Sequence, residues 1–187
     1  MTVTINTMTA AQLTNRLGPE EYRRVLTFFE RAVQEEPDRW SYWYDIGYCL
    51  GKLGKWQEAV AAFERVIDKT EATGTVLGML GLAYIQLERY EDAEAVLKRA
   101  HSCDPNNVNV LYKMAVAYFH RGEMERAMAP LYKIISRKPH HVKAQFSLGL
   151  IAHRLRDHVA VDRQLTTLKN LDQTLANRLT EIIHKKS

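Results

Sequence analysis

The sequence predicts an all-α fold, a solenoid of antiparallel helix hairpins, and three observations carry that expectation. Small and apolar residues recur with a period of 34 residues, the signature of a stacked repeat. Within each period the apolar positions follow the three-and-four spacing of amphipathic helices. Pro37, Pro105 and Pro139 fall between these stretches, where a helix must stop. At 187 residues and 46% hydrophobic content, the chain suits one repeat domain, residues 1–187, with a continuous core.

The elements follow in order. The first repeat, 6–39, is degenerate: a short polar helix near Thr9–Leu17, the Gly18-Pro19 break, then a clear second helix in EEYRRVLTFFERAVQEEP. Four phased repeats come next, at 40–73, 74–107, 108–141 and 142–172. Their eighth residues are Gly47, Gly81, Ala115 and Gly149, and their twentieth Ala59, Ala93, Ala127 and Val161. The twenty-fourth are Phe63, Leu97, Leu131 and Leu165, and the fourth Trp43, Leu77, Leu111 and Gln145. Small residues at eight and twenty are expected to let two backbones approach, with larger ones filling the space between hairpins. Pro105 and Pro139 share position 32, where the second helix ends; counting back from Trp40, Val25, Phe29, Ala32 and Pro37 occupy matching slots. The fourth repeat lacks the proline. After it, residues 173–185 carry Leu175, Leu179 and Ile183 on one stripe, and a terminal repeat needs such a helix to cover its outer face.

The W-x-x-I-G-x-x-L run of Trp43–Leu50 and the A-x-x-x-F of Ala59–Phe63 resemble the tetratricopeptide repeat family, over about residues 20–170. The resemblance implies a right-handed superhelix of about five repeats, with the first helix of each hairpin lining a concave, partner-binding surface. On the inward positions that the family implies stand Tyr44, Tyr48 and Lys52, then Leu82 and Ile85, then Asn109, Tyr112, Phe119 and His120, and last Lys143, Phe146, His153 and Arg154. Relatives that clamp acidic chaperone tails use Lys and Asn at such positions. Here the ninth residues are Tyr48, Leu82, Val116 and Leu150, so that task is disfavoured. What is expected instead is an apolar, aromatic trough with a basic C-terminal end, suited to a segment with apolar anchors and one or two carboxylates. Two expectations compete with an open trough: that some of these side chains pack against the neighbouring hairpin, and that residues 1–10 fold back into it. His120 and His153 would lend pH sensitivity, since imidazole titrates near neutrality.

Other classes of function find little support. The formal charge of +4 is uneven, −2 over residues 1–73 and +6 over 74–187, yet basic residues do not cluster as nucleic-acid binding demands. Cys49 and Cys103 are far apart in sequence and read as small buried thiols in a reducing compartment. The segment MTVTINTMTA has no secretion-signal pattern, and no apolar run is long enough to span a bilayer, so a cytoplasmic protein without membrane insertion is expected. Of the histidines, His140-His141 reads as a solvated turn, and His153 and His158 are split by a hairpin turn, so no four-ligand zinc set forms. Gly51 and Gly54 lie in a helix turn, not a phosphate loop, and Glu20-Glu21 and Glu35-Glu36 are solvated helix ends. With no nucleophile–base pair in view, neither an enzyme nor a cofactor is expected. The expected function is a protein-binding adaptor or scaffold. A secretion- or assembly-type chaperone sheltering an apolar client is the alternative, and a self-assembling homo-oligomer the third.

Overall fold

The computed structural model describes residues 17–69 and 74–185. Except for Leu17, the short helix expected near Thr9–Leu17 and the fold-back of residues 1–10 lie outside them. The described residues form ten α-helices and no strand. The chain divides into two compact units, Met1–Pro105 and Asn106–Ser187, meeting at the proline where one repeat's second helix has stopped.

The first unit holds α1 (Pro19–Glu35), α2 (Trp40–Lys52), α3 (Trp56–Lys69), α4 (Gly74–Gln86) and α5 (Tyr90–Cys103). The second holds α6 (Val108–His120), α7 (Met124–Arg137), α8 (Val142–Arg154), α9 (His158–Leu171) and α10 (Gln173–His184). Gly18-Pro19 starts α1 as well as breaking the chain. Pro19 takes the first helical position, where no N–H is needed, and the Glu21 carboxylate accepts from the Gly18 N–H at 2.7 Å.

One turn closes all four hairpins. The N–H of Lys55, Arg89, Glu123 and Asp157 donates to the carbonyl of Leu50, Tyr84, Tyr118 and Ala152 respectively, each at 2.9 Å. This bond defines the Schellman C-terminus, and it places the preceding residue in the left-handed region. Those residues are Gly54 (φ 76°), Glu88 (φ 58°), Gly122 (φ 80°) and Arg156 (φ 59°), position 15 of the four phased repeats. N-termini are capped more variously. Asn107 Oδ1 accepts from Asn109 N and Val110 N, Asp157 Oδ1 from Ala160 N and Asp172 Oδ1 from Leu175 N, at 2.9–3.2 Å.

In the first unit α1 packs on α2, α2 pairs with α3, α3 meets α4, and α4 pairs with α5. Gly47 is small because the ring of Phe63, at position 24 of the same repeat, occupies the space. A Cβ on Gly47 would stand 2.7 Å from Phe63 Cε1, and one on Gly81 2.5 Å from Leu97 Cγ. At Gly47 and Gly81 the eighth residue makes room for a side chain of the hairpin's second helix. Cys49 is fully buried, but Cys103 is exposed, contrary to the expectation of two buried thiols, because it ends α5 where the buried stripe has already closed on Ala100.

In the second unit α6 pairs with α7, α7 meets α8, and α8 pairs with α9, while α10 packs on both α8 and α9. Leu168, Ala176 and Leu179 form the core under α10, with Leu175 and Ile183 partly buried beside them. Gly149 differs from the earlier glycines: a Cβ there would meet Leu179 Cδ2 at 2.5 Å. The closing helix, not the hairpin's own second helix, fills that slot. Gln145, out of place in an apolar position, donates from Nε2 to the Pro139 carbonyl at 2.8 Å. Trp43 Nε1 makes the corresponding bond to the Pro37 carbonyl at 3.4 Å, so in both repeats the fourth residue ties its helix to the proline before it.

Candidate partner-binding groove

The second unit carries a groove of about 250 Å³ between α6 and α8. Its α6 wall is Tyr112, Val116 and Phe119, which lie three, four or seven residues apart and so share one helix face, with His120 four residues beyond Val116 at its edge. Its α8 wall is Phe146, Ser147, Leu150 and Ile151, and Leu131 of α7 reaches it from the core. The aromatic residues and Leu150 are half-buried: held by neighbours on one side, they keep a face open on the other. Phe146 and Leu150 also pack against the core beneath α10, so that helix braces the α8 wall. Tyr112 Oη lies 3.5 Å from Ser147 Oγ across the groove.

Charge gathers at the rim. The Arg154 guanidinium sits 4.4 Å above the Phe119 ring, and the His120 ring meets Phe119 edge-on at 5.8 Å. Arg178 of α10 stands 5.9 Å from the Phe146 ring. Lys113 on α6 does not line the groove, and burial pushes its ammonium below its usual value. Neither α6 nor α8 contains an Asp or Glu. His141 is more than a residue in a solvated turn: its Nδ1 accepts from the Ala144 N–H at 3.1 Å, capping α8, and its ring lies 6.0 Å from that of Tyr112. His140 is exposed.

Of the residues singled out in the sequence, Tyr112, Phe119, His120 and Phe146 line this groove together, and Arg154 covers one of its rings. Lys143 and Asn109 are exposed in the first turns of α8 and α6, and His153 is half-buried near the end of α8; none of the three lines the groove. Ala115, Ser147 and Ile151 are lining residues that the inward-position pattern passes over. Ala115 and Ser147 could have been found as the helical neighbours of Tyr112 and Phe146, and Ile151 as the residue beside Leu150. In the first unit Tyr44 packs its ring 6.0 Å from Phe63, and its hydroxyl is pushed up by burial and then by the neighbouring Asp45 and Tyr48. Tyr48 lies 6.5 Å from Tyr22, with the Lys52 ammonium 5.4 Å from the Tyr48 ring. Leu82 is half-buried. Ile85 is only 7% exposed and belongs to the core; its counterpart Gly51 likewise faces its own hairpin, against Trp56.

Among the described residues no three His, Cys, Asp or Glu side chains converge as a metal set, and no helix is long and apolar enough to cross a membrane. One family model, described as Tetratricopeptide repeat, matches residues 22–73 and 50–108, and another of the same description matches 84–148. No curated protein sequence matches the chain. Solved structures do. YrrB, described as a TPR protein with an unusual peptide-binding site, is 20% identical with a TM-score of 0.75, over 87% of this chain and 84% of YrrB. MamA (41-end) from Desulfovibrio magneticus RS-1 is 22% identical with a TM-score of 0.79, over 88% of this chain and 92% of MamA. A thermophilic TPR protein of Thermus thermophilus is 22% identical with a TM-score of 0.67, over 86% and 89% of the two chains. At these identities the likeness is one of fold.

Proposed function

Because the chain belongs to the tetratricopeptide repeat family, we propose that it is a protein-interaction adaptor whose second unit takes an apolar segment of a partner between α6 and α8. The observation that carries this reading is the groove itself: Tyr112, Phe119 and Phe146, half-buried and facing one space of about 250 Å³. That space suits one bulky aliphatic or aromatic side chain, whose burial contributes about 1.5–3 kcal/mol. Aromatic residues already fixed by neighbours lose little entropy on binding, which is why they serve as interface anchors. Tyr44, Tyr48, Lys52 and Leu82 offer a further contact surface on the first unit, and Lys143, His153 and Asn109 extend the polar margin of the second. Ile85 is a support in the core and is left out of the contact surface. YrrB's peptide-binding site is consistent with a peptide as the kind of ligand.

The test is a pull-down from native lysate with the wild-type chain and with Tyr112→Ala/Phe146→Ala. Thermal melting followed by circular dichroism comes first, because Phe146 also braces α10. With folding retained at the assay temperature, the double variant is expected to lose the partner that the wild type captures. Identical partners on both baits would sink the groove as the binding site.

A further inference from the structure

We propose that the occupant of this groove is an acidic segment, an apolar anchor flanked by carboxylates that Arg154 and Arg178 receive. The inference rests on the groove being the binding site and adds the chemistry of what enters it. Arginine stacked on an aromatic ring recurs in this protein. In three cases the guanidinium also has a carboxylate three residues away: Arg39, over Tyr42, bonds Glu36 at 3.2 Å, Arg89, over Tyr84, bonds Asp92 at 2.8 Å, and Arg126, over Tyr118, pairs with Glu123. Arg154 and Arg178 do not. Each is held over a ring that lines the groove, and among the described residues neither meets a carboxylate. Arg65, over Trp43 in the first unit, likewise meets none among the described residues, but its ring is not one of those lining the groove. Asp157 stands three residues beyond Arg154, yet its Oδ1 is engaged in capping α9.

The surroundings leave the carboxylates to the partner. Both helices that form the walls lack Asp and Glu, and the second unit as a whole carries 14 Lys and Arg against 6 Asp and Glu, a net +8. A guanidinium stacked on a ring keeps its edge donors available, and its planar fork matches a carboxylate in a bidentate pair. An apolar anchor seated between Phe119 and Phe146 would exclude water beside both arginines, and such charge pairs strengthen as local water is removed. A basic segment finds no Asp or Glu on either wall helix to pair with. A nucleic-acid strand would satisfy the cations, but a half-enclosed groove fits a side chain better than a stack of bases.

The experiment selects from a random peptide display library on the immobilised full chain at about 0.15 M ionic strength, where exposed charges beyond a Debye length are screened. Enriched peptides are then measured by fluorescence anisotropy. They are expected to place Asp or Glu beside a Leu, Phe or Trp, and to bind more tightly than their Asn/Gln counterparts. Arg154→Gln/Arg178→Gln should weaken them about fivefold, the size expected of two partly exposed pairs, and should erase the preference over the neutral versions. Val116→Trp, which fills the groove, should abolish binding of both versions; circular dichroism verifies that both variants fold. Enriched peptides without acidic residues, or acidic ones that bind the double arginine variant unchanged, overturn the acidic occupant while leaving the groove in place. Enriched peptides that bind Val116→Trp unchanged, or no enrichment at all, overturn the groove reading and this inference with it. A single-stranded oligonucleotide that outcompetes the best peptide, or self-association of the chain lost in the double arginine variant, assigns the arginines to another occupant and likewise overturns it.

Discussion

Position 15 of the four phased repeats is left-handed, but only Gly54 and Gly122 are the residue that adopts this region freely; Glu88 and Arg156 adopt it against their Cβ. A side chain in this region costs about 1–2 kcal/mol, and glycine's larger entropy loss on folding returns about 0.5–1 kcal/mol of that. Arg156→Gly is therefore expected to stabilise the second unit by about 0.5 kcal/mol, seen as a raised urea midpoint with an unchanged slope; a lowered midpoint would contradict the strain. The two thiols make a second comparison at this scale. Cys49 is fully buried and its thiol is pushed up to about 12 by burial and then by Asp45, whereas Cys103 is exposed. The thiolate is the reactive form. An aromatic disulfide reagent at mildly alkaline pH should titrate one thiol in the native protein and both in denaturant. Two native equivalents would mean that Cys49 is accessible.

Helices, hairpin turns and the closing helix were all legible as elements, since each depends on spacing along the chain. Their junctions were less so. The proline tie of Gln145 could not be read, because an amide in an apolar slot looks like a defect until the Pro139 carbonyl stands opposite it. Position 8 shows the same limit: a small residue there announces close packing but not what packs, and Gly149 faces Leu179 of α10 where Gly81 faces Leu97 of its own repeat. Leu179 has no exposed surface, so Leu179→Ala should destabilise the second unit by about 3 kcal/mol, through lost transfer energy and the cavity left beside Gly149. Chemical denaturation followed by circular dichroism measures this, and a cost well below about 1 kcal/mol, the range of exposed sites, would show that α10 is not an integral closing element. Because Phe146 and Leu150 lean on the same core, the variant should also weaken peptide binding in the groove.

At the scale of the whole molecule, the two units differ in charge and in the probes they carry. Residues 1–105 hold 12 basic and 16 acidic side chains, net −4, against net +8 for residues 106–187. Trp40, Trp43 and Trp56 all belong to the first unit. In repeat proteins stability is approximately a sum of local terms, so cooperativity need not extend along the whole chain. Tryptophan fluorescence should therefore follow the first unit alone, while circular dichroism follows both. In Leu179→Ala the two transitions are expected to separate, the circular dichroism gaining an early phase with the fluorescence midpoint held. Coincident curves would mean that the chain unfolds as one cooperative body. The division at Pro105 falls where the second helix of the 74–107 repeat has stopped, although the 34-residue phase itself runs through that residue without a break.

The sequence by itself determined the repeat length, the hairpins and the closing helix. These follow from periodicity, and periodicity is written along one dimension. Tertiary structure alone decided which of the inward positions are open. It put Ile85 into the core, made His141 a cap, and brought Arg154 and Arg178 over rings of the groove without carboxylate partners among the described residues. Exposure and charge pairing depend on what a neighbouring helix presents at each point, and that is fixed only when the helices pack.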